Sequence, residues 1–131
     1  MSIPAKNQWK VTASSGEPQR AVDDLYATHW VSSLAQSAWL QIDLGQEAEL
    51  GGIEVYWGKV AAEVYGFESS LDGMAWIPLC QTRHGEGGQN VFAFPPVAAR
   101  YLRLKDSHEG PKRALEIVEI NVYSPDKALS V

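Results

Sequence analysis

Short runs of alternating apolar and polar residues, separated by turn signals, constrain this chain more than any other feature. Helical periodicity is almost absent from the sequence. Repeated short alternating runs are typical of strands with one buried face, and they predict an all-β sandwich or barrel. The clearest apolar rows are Leu40, Ile42 and Leu44 in WLQIDLG (residues 39–45), and Ile53, Val55 and Trp57 after the pair Gly51-Gly52.

Turn chemistry divides the rest of the chain into further strands. Asp72-Gly73 lies between the strand-like residues 65–69 and 76–79, and Asp-Gly in that place predicts a hairpin because glycine accepts a positive φ. The Gly-rich residues 84–89 predict a surface loop. Strands are also expected at residues 91–94, ending at Pro95-Pro96, and at 100–104. Within the last predicted strand, residues 115–123, the apolar phase switches, which predicts a bulge.

Size and charge narrow the function classes. With 131 residues and 45% hydrophobic residues, the chain has the size of one ordinary domain, which we expect to span 1–131 with its core at about 9–123. The tails, residues 1–6 and 125–131, look dispensable. A net charge of −5 argues against nucleic acid and against an anionic membrane surface. The single cysteine, Cys80, excludes an internal disulfide and is expected to be a core thiol.

Signals for export, membrane insertion and catalysis are missing from the sequence. No basic-then-apolar leader precedes a cleavage site, and no apolar run reaches the length of a membrane span. The three histidines are far apart and lack HExxH spacing; a Gly-x-Ser-x-Gly elbow and a nucleotide-binding glycine loop are also absent. We therefore expect a binding domain with no catalytic residues rather than an enzyme.

Six local motifs occur together in an order that resembles the coagulation factor V/VIII type C, or discoidin, domain. They are WKVTASS (9–15), AVDDLYATHW (21–30), WLQIDLG (39–45), SLDGMAW (70–76), ARYLRL (99–104) and EINVY (119–123). Within that superfamily the chain looks most like the bacterial family 32 carbohydrate-binding modules. The terminal cysteine pair of coagulation-type members is missing, which favours the bacterial type. Asp24 departs from the family's usual glycine, but Asp tolerates a left-handed turn.

The resemblance implies a galactose-binding-like jelly-roll β-sandwich of two antiparallel sheets. It also implies a non-catalytic carbohydrate-binding module that brings an associated glycan-active enzyme to its substrate, in an extracellular or periplasmic location. The partners would be a mono- or oligosaccharide and a parent or partner enzyme, without nucleic acid or membrane insertion. The alternative is a protein-interaction or adhesion domain on the same discoidin fold, because one fold hosts many functions.

Residues 21–30 form a short acidic segment that has two interpretations. A tight loop with Asp23 and the Thr28 hydroxyl supplies the oxygen ligands that Ca²⁺ prefers, and Glu119 could complete the charge. An Asx turn at Asp23 explains the same residues. The resemblance implies a structural Ca²⁺ site here. Its implied ligands are the carbonyls of Arg20, Leu25 and Val118, the carboxylates of Asp23 and Glu119, and both oxygens of Thr28.

The resemblance also implies a sugar site in loops at one end of the sandwich, at about residues 31–38, 57–64, 83–90 and 106–113. The candidate ligand-binding residues are Trp57, Lys59, Glu63, Arg83, His84 and His108. Two simpler alternatives stand beside this interpretation: Trp57 completes the inward row of its strand, and the histidines are solvated loop residues. Galactose-binding members carry Arg and Asn in the loop that matches 57–64, whereas this chain has Lys59 and Glu63. The resemblance therefore does not imply galactose as the ligand.

Overall fold

The computed structural model describes residues 2–34, 37–107 and 111–127. Within them the elements are two short 3-10 helices and seven strands. The 3-10 helices are Lys6–Gln8 and Pro18–Ala21, and the strands are β1 Lys10–Ala13, β2 Trp30–Val31, β3 Trp39–Trp57, β4 Tyr65–Ser70, β5 Ile77–Thr82, β6 Gln89–Asp106 and β7 Glu116–Tyr123. All strand pairs are antiparallel. The prediction of an all-β fold is confirmed. In the described residues, no helix is long and apolar enough to span a membrane.

The long strands β3 and β6 pair along most of their length and contribute to both layers of the fold. The first part of β3 lies between β1 and the end of β6, and β4 and β5 continue that layer. The second part of β3 lies between the start of β6 and β7, with β2 at the outer edge. The two expected sheets are therefore layers of one hydrogen-bonded sheet, with strand order β2-β7-β3-β6-β4-β5 and β1 beside β3.

Two register shifts in the β3–β6 pairing explain why the sequence predicted more and shorter strands. They lie between Asp43 and Ala48 and between Leu50 and Gly52. The expected end of a strand at Pro95-Pro96 is wrong, because β6 continues through both prolines to Asp106. Proline cannot donate to a sheet ladder, but both prolines lie in the segment that the second register shift leaves unpaired.

The alternating rows predicted from the sequence form the core. Leu40, Ile42 and Leu44 are at most 1% exposed, and Ile53 and Val55 are completely buried. The predicted hairpin at Asp72-Gly73 joins β4 to β5, and Gly73 has a φ of 80°. Cys80 packs against the core as a partly buried residue, and burial raises the pKa of its thiol to about 12.

The predicted bulge in the last strand is confirmed and decides where Glu119 lies. Tyr56 of β3 pairs with Glu119 and the next residue, Trp57, pairs with Ile117, so that Val118 is the extra residue of β7. Ile117 and Ile120 both reach the core because of this shift. Glu119, between them, contacts the turn at Asp24 through a hydrogen bond from the Asp24 amide.

A pair of isoleucine variants tests the core assignment. Ile53 is completely buried, whereas Ile77 on β5 is 67% exposed. We expect Ile53→Ala to lower the free energy of unfolding by roughly 2–5 kcal/mol. The control Ile77→Ala should change it by only about 0.5 kcal/mol. Urea unfolding measures both values, and equal losses in the two variants would contradict the assignment.

Candidate functional site

Residues 21–30 form a turn that brings three oxygen atoms together. One carboxylate oxygen of Asp23 accepts a hydrogen bond from the Leu25 amide at 3.0 Å, which is the Asx turn that the sequence left open. The other accepts from the Thr28 hydroxyl at 2.5 Å. That hydroxyl lies 3.1 Å from the Leu25 carbonyl oxygen. The Asx turn is thus the local geometry that gathers the oxygens of Asp23, Leu25 and Thr28.

Asp24, which stands where the resembling family usually has glycine, takes the expected left-handed conformation. Its φ is 59°, and among the described residues it is the only one besides glycine with a positive φ. Asp tolerates this region better than most residues, so the turn keeps its shape without glycine. The Asp24 side chain is exposed, and its carboxylate accepts a hydrogen bond from Lys6 at 2.7 Å.

Glu119 is a completely buried carboxylate that contacts the turn at Asp24. One of its oxygens accepts from the Asp24 amide at 3.1 Å and from the Lys6 ammonium at 2.6 Å. The other oxygen, Oε1, is buried and has no hydrogen-bond partner. Burial raises the pKa of Glu119, and the Lys6 ammonium opposes that shift. An open oxygen on a buried carboxylate leaves a place for a further cation.

The implied Ca²⁺ ligands fit this region. The open oxygen of Glu119 and the gathered oxygens of Asp23, Leu25 and Thr28 belong to the chemical types that Ca²⁺ prefers. Arg20 lies in the 3-10 helix just before the turn, and Val118 is the bulge residue next to Glu119. In residues 2–34, 37–107 and 111–127, no three His, Cys, Asp or Glu side chains cluster as a metal site. The implied site needs only two carboxylates, so this finding does not bear on it.

The loops predicted to bind a ligand come together at one end of the sandwich. The Gly85 amide donates to the Glu63 carbonyl at 2.8 Å, and the Arg113 guanidinium donates to the Ala61 carbonyl at 3.0 Å. A Cβ atom on Gly85 would lie 2.5 Å from the Ala62 carbonyl oxygen, so this close approach requires glycine. Segment 57–64 is therefore held between segment 83–90 on one side and Arg113 on the other.

Trp57 is a structural residue beneath these loops, which corrects its assignment as a ligand-binding residue. It is 5% exposed, and its ring packs edge-on against Tyr65 at 5.0 Å. The indole nitrogen donates to Asn90 at 2.9 Å, and the Tyr65 hydroxyl donates to the same amide oxygen at 2.6 Å. The inward alternation of β3 places the ring in the core, so it offers no face to a sugar.

The other candidate ligand-binding residues lie on the outside of the loop cluster. Lys59, Glu63, Arg83 and His84 are all exposed. Lys59 and Glu63 belong to one segment, and Arg83 and His84 to the segment that Gly85 joins to it. His108 lies outside the described residues. Four charged or polar side chains thus lie on two neighbouring loops. Trp57 is buried beneath these loops and donates to Asn90 of segment 83–90.

Comparison with known proteins identifies the family of this chain. The sequence profile of the F5/8 type C domain matches residues 2–120. The chain belongs to that family. No curated protein sequence matches the chain significantly. The match over most of the chain confirms the resemblance that the six motifs indicated.

Solved structures similar to this F5/8 type C domain include carbohydrate-binding modules. Chitosan-binding module 1 of a chitosanase/glucanase from Paenibacillus sp. IK-5 is 26% identical, with a TM-score of 0.82 over 88% of this chain and 94% of that chain. Module 2 of that enzyme, in complex with chitotriose, is 24% identical, with a TM-score of 0.81 over 88% and 95%. CpGH89CBM32-5 from Clostridium perfringens, in complex with GalNAc-β-1,3-galactose, is 19% identical, with a TM-score of 0.80 over 94% and 100%. These likenesses confirm the galactose-binding-like jelly roll.

Sequence reasoning missed Lys6, which it placed in a dispensable tail. The ammonium of Lys6 donates to Asp24, to Glu119 and, at 2.5 Å, to Asn121. The tail is also held by a hydrogen bond from the Trp9 indole to the Pro4 carbonyl. A basic residue near an end of the chain carries no local sign of a partner 113 positions away, so only the fold could identify this contact.

A lysine variant tests the role of Lys6 in this F5/8 type C domain. Lys6→Met leaves the buried carboxylate of Glu119 without its ammonium partner, and we expect a loss of about 3 kcal/mol in the free energy of unfolding. Lys10→Met, at an exposed position on β1, is the matched control and should cost far less. Urea unfolding in the presence of a chelator measures both. Equal stability of the two variants would show that Glu119 does not need Lys6.

Proposed function

We propose that this domain is a non-catalytic carbohydrate-binding module whose ligand site is the outer surface of segments 57–64 and 83–90. The observation that carries the proposal is the exposed group Lys59, Glu63, Arg83 and His84 on two loops that hydrogen bonds hold together. Polar groups on loops whose backbones are joined in this way suit the recognition of sugar hydroxyls. The 26% identity to a chitosan-binding module supports the same function.

Hydrogen bonding, rather than ring stacking, would dominate recognition at this surface. Trp57 is buried, and the two segments expose charged and polar side chains instead of a Phe, Tyr or Trp ring. Contacts of that kind give modest affinity for a single sugar. Several such contacts on one polysaccharide lengthen the time for which the module and an attached enzyme stay bound. We therefore propose that the domain brings an associated glycan-active enzyme to its substrate, in an extracellular or periplasmic location.

We further propose a structural Ca²⁺ in the turn at residues 21–30, held by Asp23, Thr28 and Glu119 with the carbonyls of Arg20, Leu25 and Val118. The open, buried oxygen of Glu119 and the gathered oxygens of the turn support it. Such an ion would tie the turn to β7, as the Asp24 amide already does. It would supply stability and no chemistry.

A glycan array screened with the purified domain tests the binding function. We expect binding to one class of glycan, and the variant Arg83→Ala/His84→Ala should weaken it about tenfold or more, because hydrogen bonds to charged groups are lost. Lys10→Ala, on β1, is the control and should bind like the original chain. Absence of binding to any glycan would contradict the proposal and direct the search to a protein partner, as for an adhesion domain on this fold.

Thermal unfolding with Ca²⁺ and with a chelator tests the metal site. Saturating Ca²⁺ at about 100 times Kd should stabilise the domain by about 2.7 kcal/mol, which would raise Tm by several degrees. Thr28→Val removes one proposed ligand and should abolish most of this increase. Thr12→Val, at an exposed position on β1, should retain it. A Tm that does not respond to Ca²⁺ in the original chain would exclude the site.

A further inference from the structure

Glu54 is a nearly buried carboxylate on the outer side of the second layer. Its neighbours along β3, Ile53 and Val55, point into the core, whereas Glu54 lies on the opposite face and is still only 7% exposed. Its cover comes from side chains of the two adjacent strands. A charged group that is withdrawn from water needs hydrogen-bond or ionic partners, because the loss of hydration is otherwise strongly unfavourable.

The partners of Glu54 are neutral hydrogen-bond donors. One carboxylate oxygen accepts from Asn121 at 2.8 Å and from the Tyr123 hydroxyl at 3.3 Å, and the other accepts from Gln89 at 2.5 Å. The ion pairs found among the described residues do not include Glu54. Glu54 is linked to a cation indirectly, because Lys6 donates to the Asn121 side chain, whose amide then donates to Glu54.

Three tyrosines lie near this carboxylate. Tyr123 binds it directly, and Tyr56 follows it by two positions on the same face of β3. Tyr26, from the turn at residues 21–30, is 56% exposed and packs edge-on against Tyr56, with 5.4 Å between ring centroids. Burial, followed by the negative charge of Glu54, raises the pKa of Tyr56 and of Tyr123, so both hydroxyls stay protonated at neutral pH.

We propose that this surface, the Glu54 face (Glu54, Tyr26, Tyr56, Tyr123, Gln89 and Asn121), binds the protonated primary amine of an amino sugar. A carboxylate without a cationic partner supplies the charge, and the aromatic rings beside it attract an organic cation through their π-faces. Each carboxylate oxygen has two lone-pair directions, so the three donors leave one acceptor position of the carboxylate unused. The net charge of −5 favours the approach of a cation.

The Glu54 face is a second site, and the proposal does not depend on the loop site. The loop site uses Arg83 and His84, whereas the Glu54 face uses the outer side of β3, β6 and β7. It is also linked to the turn at residues 21–30, because Tyr26 belongs to that turn. A domain with two sites on different surfaces would hold a polymer by two contacts, which raises the overall affinity above that of either contact.

Titration of the ¹⁵N-labelled domain with glucosamine and, separately, with N-acetylglucosamine tests the proposal at a mildly acidic pH, where the free amine is protonated. The two sugars share a ring and differ in the charge at one position. We expect glucosamine to shift the backbone amide resonances of Tyr26, Glu54 and Asn121 in a saturable way, and N-acetylglucosamine to leave them unchanged. Added salt should weaken the binding.

Variants separate this site from the loop site. Glu54→Gln should weaken glucosamine binding about tenfold, and Tyr26→Ala, at a position that is 56% exposed, should weaken it several-fold. Glu68→Gln removes a carboxylate that pairs with Arg103 in the other layer and should have no effect. Arg83→Ala/His84→Ala should also leave the shifts at the Glu54 face intact.

Three results would overturn the proposal. Equal shifts with both sugars would show that charge is not recognised, and an absence of shifts at the Glu54 face would show that it does not bind an amine. Loss of these shifts in Arg83→Ala/His84→Ala would assign the binding to the loops. Failure of the loop site on a glycan array, with retained amine binding here, would overturn only the function proposed for the loops. If Glu54→Gln does not fold, Tyr26→Ala decides.

Discussion

The antiparallel pairing of β3 with β6 is the constraint on which the rest of the structure depends. These two strands supply the centre of both layers, and every other strand except β2 and β5 pairs with one of them. Their apolar residues face each other, such as Leu40 opposite Leu104 and Ile53 opposite Phe92, because the register is fixed on both sides of the two register shifts. The loop cluster begins where this pairing ends, at Tyr56 and Gln89. The position of the candidate ligand residues thus follows from the register of the core.

Two buried carboxylates organise the outer side of the second layer, and they are compensated differently. Glu119 accepts from the Lys6 ammonium and the Asp24 amide through one oxygen, and its other oxygen is buried without a hydrogen-bond partner. Glu54 receives three neutral donors. Asn121 connects the two sites, since its carbonyl oxygen accepts from Lys6 and its amide donates to Glu54. A change in charge at either carboxylate should therefore affect the orientation of a side chain at the other.

Features that depend on local periodicity or turn chemistry could be predicted from the sequence. The buried row Leu40, Ile42 and Leu44, the hairpin at Asp72-Gly73, the bulge in β7 and the left-handed Asp24 all belong to this class. Features that depend on distant partners could not be predicted. Lys6 meets Glu119 across 113 positions, and Glu54 meets Asn121 across 67. For Trp57 the sequence allowed two roles, and only its contact with Tyr65 and Asn90 decides between them.

The outer edge of β5 has a consequence for how this domain behaves at high concentration or beside other domains. A free strand edge can recruit a strand from a second molecule and begin an aggregate. β5 carries Pro78, which has no amide hydrogen to donate, and its pairing with β4 shifts register between Phe67 and Glu68. Both features interrupt the regular ladder that an incoming strand would need. Met74 and Ile77 expose apolar side chains next to this edge. Because the edge offers no regular ladder, these side chains do not promote the addition of a strand from another molecule.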